Sequence, residues 1–318
     1  MAMATDRFIL ALLADERVDD EVLAEHFELD ETTLPSPLAE GQPHTAATPP
    51  PAHATIPDAL RSIPNLSTAA EGILGGYNRR ARLRRQKQFA KRARGFSGVT
   101  LVTEGDSWFQ FPTTRQDVID HLFERDDFNP YSLGYAGDWL SNIVRHHEYY
   151  NAIHHYRPQV FLLSGGGNDM LGKGRLKWLL HPFAAGRAPE DYFGASMQRA
   201  LDDLERLYRF VFDELTHNFP ELLIVGHGYD YGTPDNGRWL GKPMATIGIH
   251  DPQLQRAIVH ALMDRFNAMR IRVASDYDRV VHVDIRGRVD DWGDELHPTS
   301  KGFAVVASAF DRAIRANL

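Results

Sequence analysis

The sequence predicts an α/β fold, a central parallel sheet covered by helices on both faces, with a helical extension ahead of it. Two observations carry this. From residue 97 onward, short apolar runs alternate with longer stretches of helical periodicity, the pattern of parallel strands joined by crossover helices. The residues best suited to chemistry fall directly after the apolar runs. In such sheets, sites form beyond the C-terminal strand ends.

The elements follow in chain order. Residues 1–30 read as a small helical segment, because "DRFILALLADERV" and "DDEVLAEHFEL" space their apolar residues helically. Asp19 or Asp20 can cap the second helix. Residues 31–57, containing "PSPLAEGQPHTAATPPPAHATIP", have no apolar period and read as a linker. Residues 58–96 read as a basic helical segment ending in "NRRARLRRQKQFAKRAR". One reading is a solvated helix that packs on the following domain through Leu83 and Phe89. Another is a contact to an anionic membrane surface or an acidic protein partner through 78–94. Nucleic acid is not expected, since aromatics for base stacking are nearly absent from the run.

Residues 97–318 form the main domain. Its strands are expected in "GVTLVTEG", "PYSLGY", "QVFLLSGG", "ELLIVGHG" and "RVVHVDI". Leu201, Leu204, Leu207, Val211 and Leu215 define one helix face. Leu254, Ile258, Leu262 and Met269 define a second, and Phe303, Val306, Phe310 and Ile314 a third.

Composition bounds the function. The chain has 318 residues, 43% hydrophobic and 25% charged, with net charge -8. That is enough to bury a large core, and the charge argues against general nucleic-acid binding. With no cysteine, disulfides, thiolate metal sites and a cysteine nucleophile are excluded. No run approaches the ~18 apolar residues of a membrane-spanning helix. The run from Phe8 to Ala14 is short and lacks a basic flank, so a cytoplasmic location is expected, with signal-independent secretion left open.

Four loops carry the chemistry. "EGDSWF" follows the first strand, "GYAGDWL" the second and "LSGGGNDML" the third, while "GDELHPTSKG" precedes the last helix. A serine hydroxyl needs a base to become a nucleophile. His297 can serve Ser107 in this way, and Asp294, three residues earlier, can hold its ring and tautomer. A tetrahedral intermediate needs donors for its oxyanion. The backbone N–H of Ser107, the N–H of Gly137 and the side-chain amide of Asn168 are candidates.

Gly105-Asp106-Ser107, Gly137, Gly167-Asn168-Asp169 and Asp294-x-x-His297 together resemble, in order and spacing, the four blocks of the SGNH (GDSL-type) hydrolase family. The resemblance spans about residues 97–318. It implies a flavodoxin-like three-layer α/β/α fold, Ser107 as nucleophile, His297 as base and Asp294 as orienting acid. Gly137 and Asn168 are then oxyanion donors. Trp108 and Phe109 stand where the family usually continues with leucine, which bears on the substrate.

Competing readings exist for several residues. Gly134 competes with Gly137, and Asp290 and Asp291 with Asp294. Asp106 and Asp169 read as loop braces. The turn "SGGGND" lacks the glycine spacing of a dinucleotide site, and no cofactor is expected. His146-His147 and His154-His155 lie on an expected helix from about 138 to 156, as a solvated face rather than metal ligands. Trp108, Phe109 and Phe111 are expected to wedge the nucleophile loop into the core and to wall the pocket. Residues 171–195 read either as a packed insertion or as a lid that brings Trp178 to an acyl pocket. The loop 226–239 offers Tyr229, Asp230 and Tyr231 to a substrate. The sequence therefore points to a serine hydrolase of esters, a carboxylesterase or lipolytic enzyme. A carbohydrate O-deacetylase of the same fold is the nearest alternative. An idle interaction protein working through its N-terminal segment is the alternative from another class.

Overall fold

The computed structural model describes residues 73–111 and 115–318. The expected helical segment 1–30, the linker 31–57 and the first part of 58–96 lie outside the described residues. Five strands form: β1 Val99–Glu104, β2 Phe128–Ser132, β3 Val160–Leu163, β4 Leu223–His227 and β5 Val280–Val283. All pair in parallel, in the order β2-β1-β3-β4-β5. This is the flavodoxin-like order, with its switch point between β1 and β3. Every residue of β3 and β4 is buried, so both read in sequence as unbroken apolar runs. The second strand starts earlier than "PYSLGY" suggests and leaves the regular ladder after Ser132. The Leu133 and Tyr135 N–H groups still donate to Thr103 and Gly105 carbonyls, so this stretch follows β1 toward its C-terminal tip.

The helices are α1 Ile73–Arg92, α2 Val118–Phe123, α3 Leu140–His146, α4 Glu148–Tyr156, α5 Gly167–Leu171, α6 Leu176–Leu179, α7 Ala195–Asn218, α8 Gly241–Ala245, α9 Pro252–Ala274 and α10 Ser300–Asn317. Helices α2 and α10 pack together on one face of the sheet, and α4, α7 and α9 cover the other. The result is three layers, α/β/α. The predicted stripe of α7, Leu201 through Leu215, is buried throughout. Each such side chain contributes about 1.5–3 kcal/mol of burial, which fixes the face α7 turns to the sheet. Asp251 caps α9 by accepting from Gln253 N–H, with Pro252 in the first turn.

Two expectations change here. The single helix expected over 138–156 is two helices, broken at His147, which adopts a left-handed conformation with φ 59°. His147 is not on a solvated face: it is buried, and its Nε2 lies 2.6 Å from Glu214 on α7. The break lets the ring turn inward to that carboxylate. His146, His154 and His155 are exposed, and no cluster able to hold a metal ion occurs among the described residues. No helix among them is long and apolar enough to cross a membrane.

The basic helix α1 packs differently from the sequence expectation. Phe89 is buried against Tyr131 and Tyr156, at ring separations of 5.2 and 5.0 Å. Leu83, however, is 49% exposed, while Arg85 is 1% exposed. The Arg85 guanidinium donates to Asp117, Asp120 and the Phe109 carbonyl. Enough partners surround the charge to bring it inside. The helix also lies along the outer edge of β2. Gln86 donates to the Ser132 carbonyl and Arg92 to the Phe128 carbonyl, covering an edge that would otherwise be open to pairing.

Candidate active site

The loop after β1 begins with a close approach. A Cβ at Gly105 would stand 2.8 Å from Ser164, so only glycine lets β1 reach its tip beside β3. Asp106 then turns inward. Its buried carboxylate accepts the Trp108 N–H, the Ser164 hydroxyl and the Tyr229 hydroxyl. Burial pushes the Asp106 carboxyl up, against the pull of these donors. With Asp106 fixed below, Ser107 is half-buried at the tip and faces the cleft.

The last loop supplies its partners. His297 Nε2 lies 2.8 Å from Ser107 Oγ, and His297 Nδ1 lies 2.9 Å from each Asp294 oxygen. Asp294 also accepts the Leu296 and His297 backbone N–H groups, each at 2.8 Å. Burial alone would raise the Asp294 carboxyl. The bond and charge of His297, with these two N–H groups, outweigh it and hold Asp294 below the usual carboxylate range. Asp290 and Asp291, the competing acids, are exposed. Phe111 and Trp239 bracket the imidazole edge-on at 5.2 and 5.5 Å, which limits its rotation.

Two further blocks reach the same cleft. Gly137 has φ +83° and lines it; a side chain would be strained in that conformation. Gly134, its competitor, does not line the cleft and lies against Gln110 and Phe109. Asn168 lines the cleft from α5, and its Nδ2 donates to the Asp138 carbonyl at 2.8 Å. That bond uses one amide hydrogen and fixes the direction of the other. The structure thus brings Ser107, His297, Asp294, Gly137 and Asn168 to one edge of the sheet.

The expected pocket residues divide. Trp108 and Tyr229 line the cleft, and the Tyr229 hydroxyl is engaged by Asp106 and the Gly167 N–H. Asp230 lines it too, but its carboxylate accepts the N–H groups of Tyr231, Gly287, Arg288 and Val289. It therefore braces the loop at 287–289. Phe109 does not line the cleft. It is fully buried beneath it, stacked on His227 at 5.7 Å and edge-on to Phe310 at 5.5 Å. Trp178 does not line it either. Helix α6 turns Leu176 and Leu179 inward, which leaves Trp178 outward and 70% exposed. Tyr231 stacks on His260 at 4.0 Å, away from the cleft.

No family model matches this chain, and no curated protein matches it. Solved structures do align with it. An extracellular lipase from Streptomyces rimosus aligns at TM-score 0.47 and 14% identity, covering 68% of this chain and 100% of its own. A lipase from a goat rumen metagenome aligns at 0.46 and 12%, covering 68% and 97%. A catalytic variant of an acetylxylan esterase from Geobacillus stearothermophilus aligns at 0.43 and 15%, covering 69% and 94%. These likenesses are loose, and the fold assignment rests on the strand order and the strand-end blocks of this chain. The strand order makes the described domain a flavodoxin-like three-layer α/β/α fold.

Sequence reasoning missed several cleft residues. Leu74 comes from α1, Leu171 from α5, Val259 and Met263 from α9, and Arg238 and Trp239 from the loop before α8. The sequence points to the loop 226–239 by its first residues and not its last. Glu295, between Asp294 and Leu296, was also missed. It is buried, and its carboxylate accepts five backbone N–H groups from Asp235, Gly237, Trp239, Leu240 and Gly241. The two glycines in "NGRWLG" were the available signal, since they let backbone crowd around one carboxylate.

Proposed function

We propose that this protein is an SGNH-type serine hydrolase that cleaves carboxylic esters through an acyl-enzyme on Ser107. The observation that carries this reading is the chain of contacts from Ser107 Oγ through His297 to Asp294, opening on a cleft shared by Gly137 and Asn168. In this reading His297 Nε2 takes the Ser107 proton as Oγ attacks the ester carbonyl carbon. The N–H groups of Ser107 and Gly137 and the Asn168 amide receive the oxyanion. As the intermediate collapses, His297 returns the proton to the leaving alkoxide. Water, deprotonated by His297, then releases the acid from Ser107. Asp294 stays ionised and stabilises the imidazolium.

Leu74, Trp108, Phe111, Leu171, Trp239, Val259, Met263 and Leu296 give the cleft an extensive apolar wall. The cleft is open to solvent, and most of its exposed lining is apolar. This favours a carboxylesterase or lipolytic enzyme acting on a larger apolar acyl group. The test is fluorophosphonate labelling combined with turnover of a 4-nitrophenyl ester series. Wild-type protein should be labelled and should prefer acyl chains longer than acetyl. Ser107→Ala should fold, resist labelling and lose turnover. Near-normal turnover by folded Ser107→Ala would overturn the mechanism. A preference confined to acetyl would move the reading to an O-deacetylase.

A further inference from the structure

Helix α1 precedes the four blocks and carries none of them, yet it reaches the candidate oxyanion site. Asn78 on α1 is fully buried. Its Oδ1 accepts the Ala136 N–H at 2.8 Å and the Gln110 side-chain amide at 2.9 Å. Its Nδ2 donates to the Ala136 carbonyl at 3.2 Å. That last oxygen belongs to the peptide unit whose opposite end is the Gly137 N–H. The unit is planar and trans, so its carbonyl and its N–H point in opposite directions. Holding the carbonyl from behind therefore aims the N–H. A donor on the carbonyl also polarises the unit and strengthens its N–H as a donor.

We infer that Asn78 is a positioning residue for the oxyanion-hole N–H of Gly137, supplied by a helix outside the four blocks. The inference rests on the hydrolase reading above. Gly137 needs this support more than an ordinary loop residue does. It is exposed on the cleft, sits at φ +83° and has no side chain to anchor it. Leu74, one turn before Asn78 on the same helix, lies 3.7 Å from where a Gly137 Cβ would stand and closes the cleft beside it. Through Gln110, which also donates to the Asn78 carbonyl at 3.1 Å, the same asparagine is tied to the nucleophile turn. One buried amide thereby spans the loops of Ser107 and Gly137.

The experiment compares steady-state kinetics and melting for the full chain and three variants. Asn78→Asp keeps the shape and the acceptor for the Ala136 N–H but replaces the donor to the Ala136 carbonyl. Asn78→Ala removes both. Phe89→Leu, at the other end of α1 and outside the cleft, weakens helix packing without touching Ala136. Both Asn78 variants should lose about 10- to 100-fold in kcat with KM within about twofold, somewhat less than the ~10²–10³-fold lost with an oxyanion donor itself. Phe89→Leu, assayed well below its Tm, should keep wild-type kcat. If Asn78→Ala fails to fold, the near-isosteric aspartate variant decides alone. Wild-type kcat in folded Asn78→Asp overturns the inference, as does an equal kcat loss in Phe89→Leu. Absence of ester turnover in the wild-type chain overturns the hydrolase reading itself, and this inference with it.

Discussion

Glu295 holds Trp239 in place over His297: the Trp239 backbone N–H donates to Glu295 Oε2 at 3.1 Å, and the indole meets the imidazole edge-on at 5.5 Å. The carboxylate that shapes the cleft wall is thus two residues from the imidazole it shelters. Five N–H groups converge on this side chain, and hydrogen bonds to a charged group contribute about 1.5–3 kcal/mol each. Glu295→Gln keeps the shape but replaces one acceptor oxygen with a donor, so the turn at 235–241 should loosen. KM for longer acyl esters should rise more than kcat falls, and Tm should drop. Ester kinetics across chain length, with a melting curve, would check this. An unchanged KM would show that the turn does not line the acyl site.

The role proposed for Asp294 as orienting acid is tested by Asp294→Asn. An amide can present the wrong tautomer of His297 to Ser107, and the imidazolium loses its counter-charge. A fall in kcat of up to ~10⁴-fold is expected on the precedent of serine hydrolases. Asp291→Asn, at an exposed position, should leave kcat within about twofold. Single-turnover kinetics on both variants distinguish the two acids.

Acid stability should depend on His227. This ring is fully buried, and burial, with Arg270 nearby, pushes it down to about 3. The unfolded chain takes up that proton near 6.5, and the folded chain does not until about 3. Stability should therefore fall as pH drops from about 6.5 toward 3, by about 1.4 kcal/mol per pH unit from this group. His282, also lowered to about 3 by burial, acts in the same direction. Tm measured from pH 7 to pH 4 should decline less steeply in His227→Gln than in wild type. Parallel curves would mean that His227 does not set the slope.

The doublet Arg84-Arg85 should behave as two unlike residues. Arg84→Ala, at an exposed position, should change stability by less than about 0.5 kcal/mol. Arg85→Ala strands Asp117 and Asp120 without their buried partner and should cost about 3–5 kcal/mol. Urea denaturation of the two variants checks this. The outer face of α1 and the turn after it expose Arg79, Arg84, Lys87, Lys91 and Arg94. Binding to anionic vesicles that weakens with salt, and vanishes when these five become glutamine at unchanged Tm, would give that face to a membrane surface. No binding at low salt would leave α1 as a brace alone.

The sequence by itself determined the strands, the main helices and the four loops that meet at the sheet edge. These follow from local pattern: apolar runs bounded by glycine, stripes at helical spacing, and reactive residues directly after strands. The pairing of His297 with Asp294 was also legible, because three residues on one turn can meet without help from the rest of the chain. Tertiary structure alone decided what depends on packing between distant segments. It placed Phe109 under the cleft and Trp178 outside it, although both read in sequence as pocket-wall aromatics. It buried Arg85 and left Leu83 half exposed, because Asp117 and Asp120, more than thirty residues away, wait for the guanidinium, and the described residues do not enclose the leucine. It drew Leu74 and Asn78 to the Ser107 and Gly137 loops from a helix whose charge reads as solvent-facing. Solvation preference assigns a residue its usual place; only the partners that the fold brings to it can reverse that place.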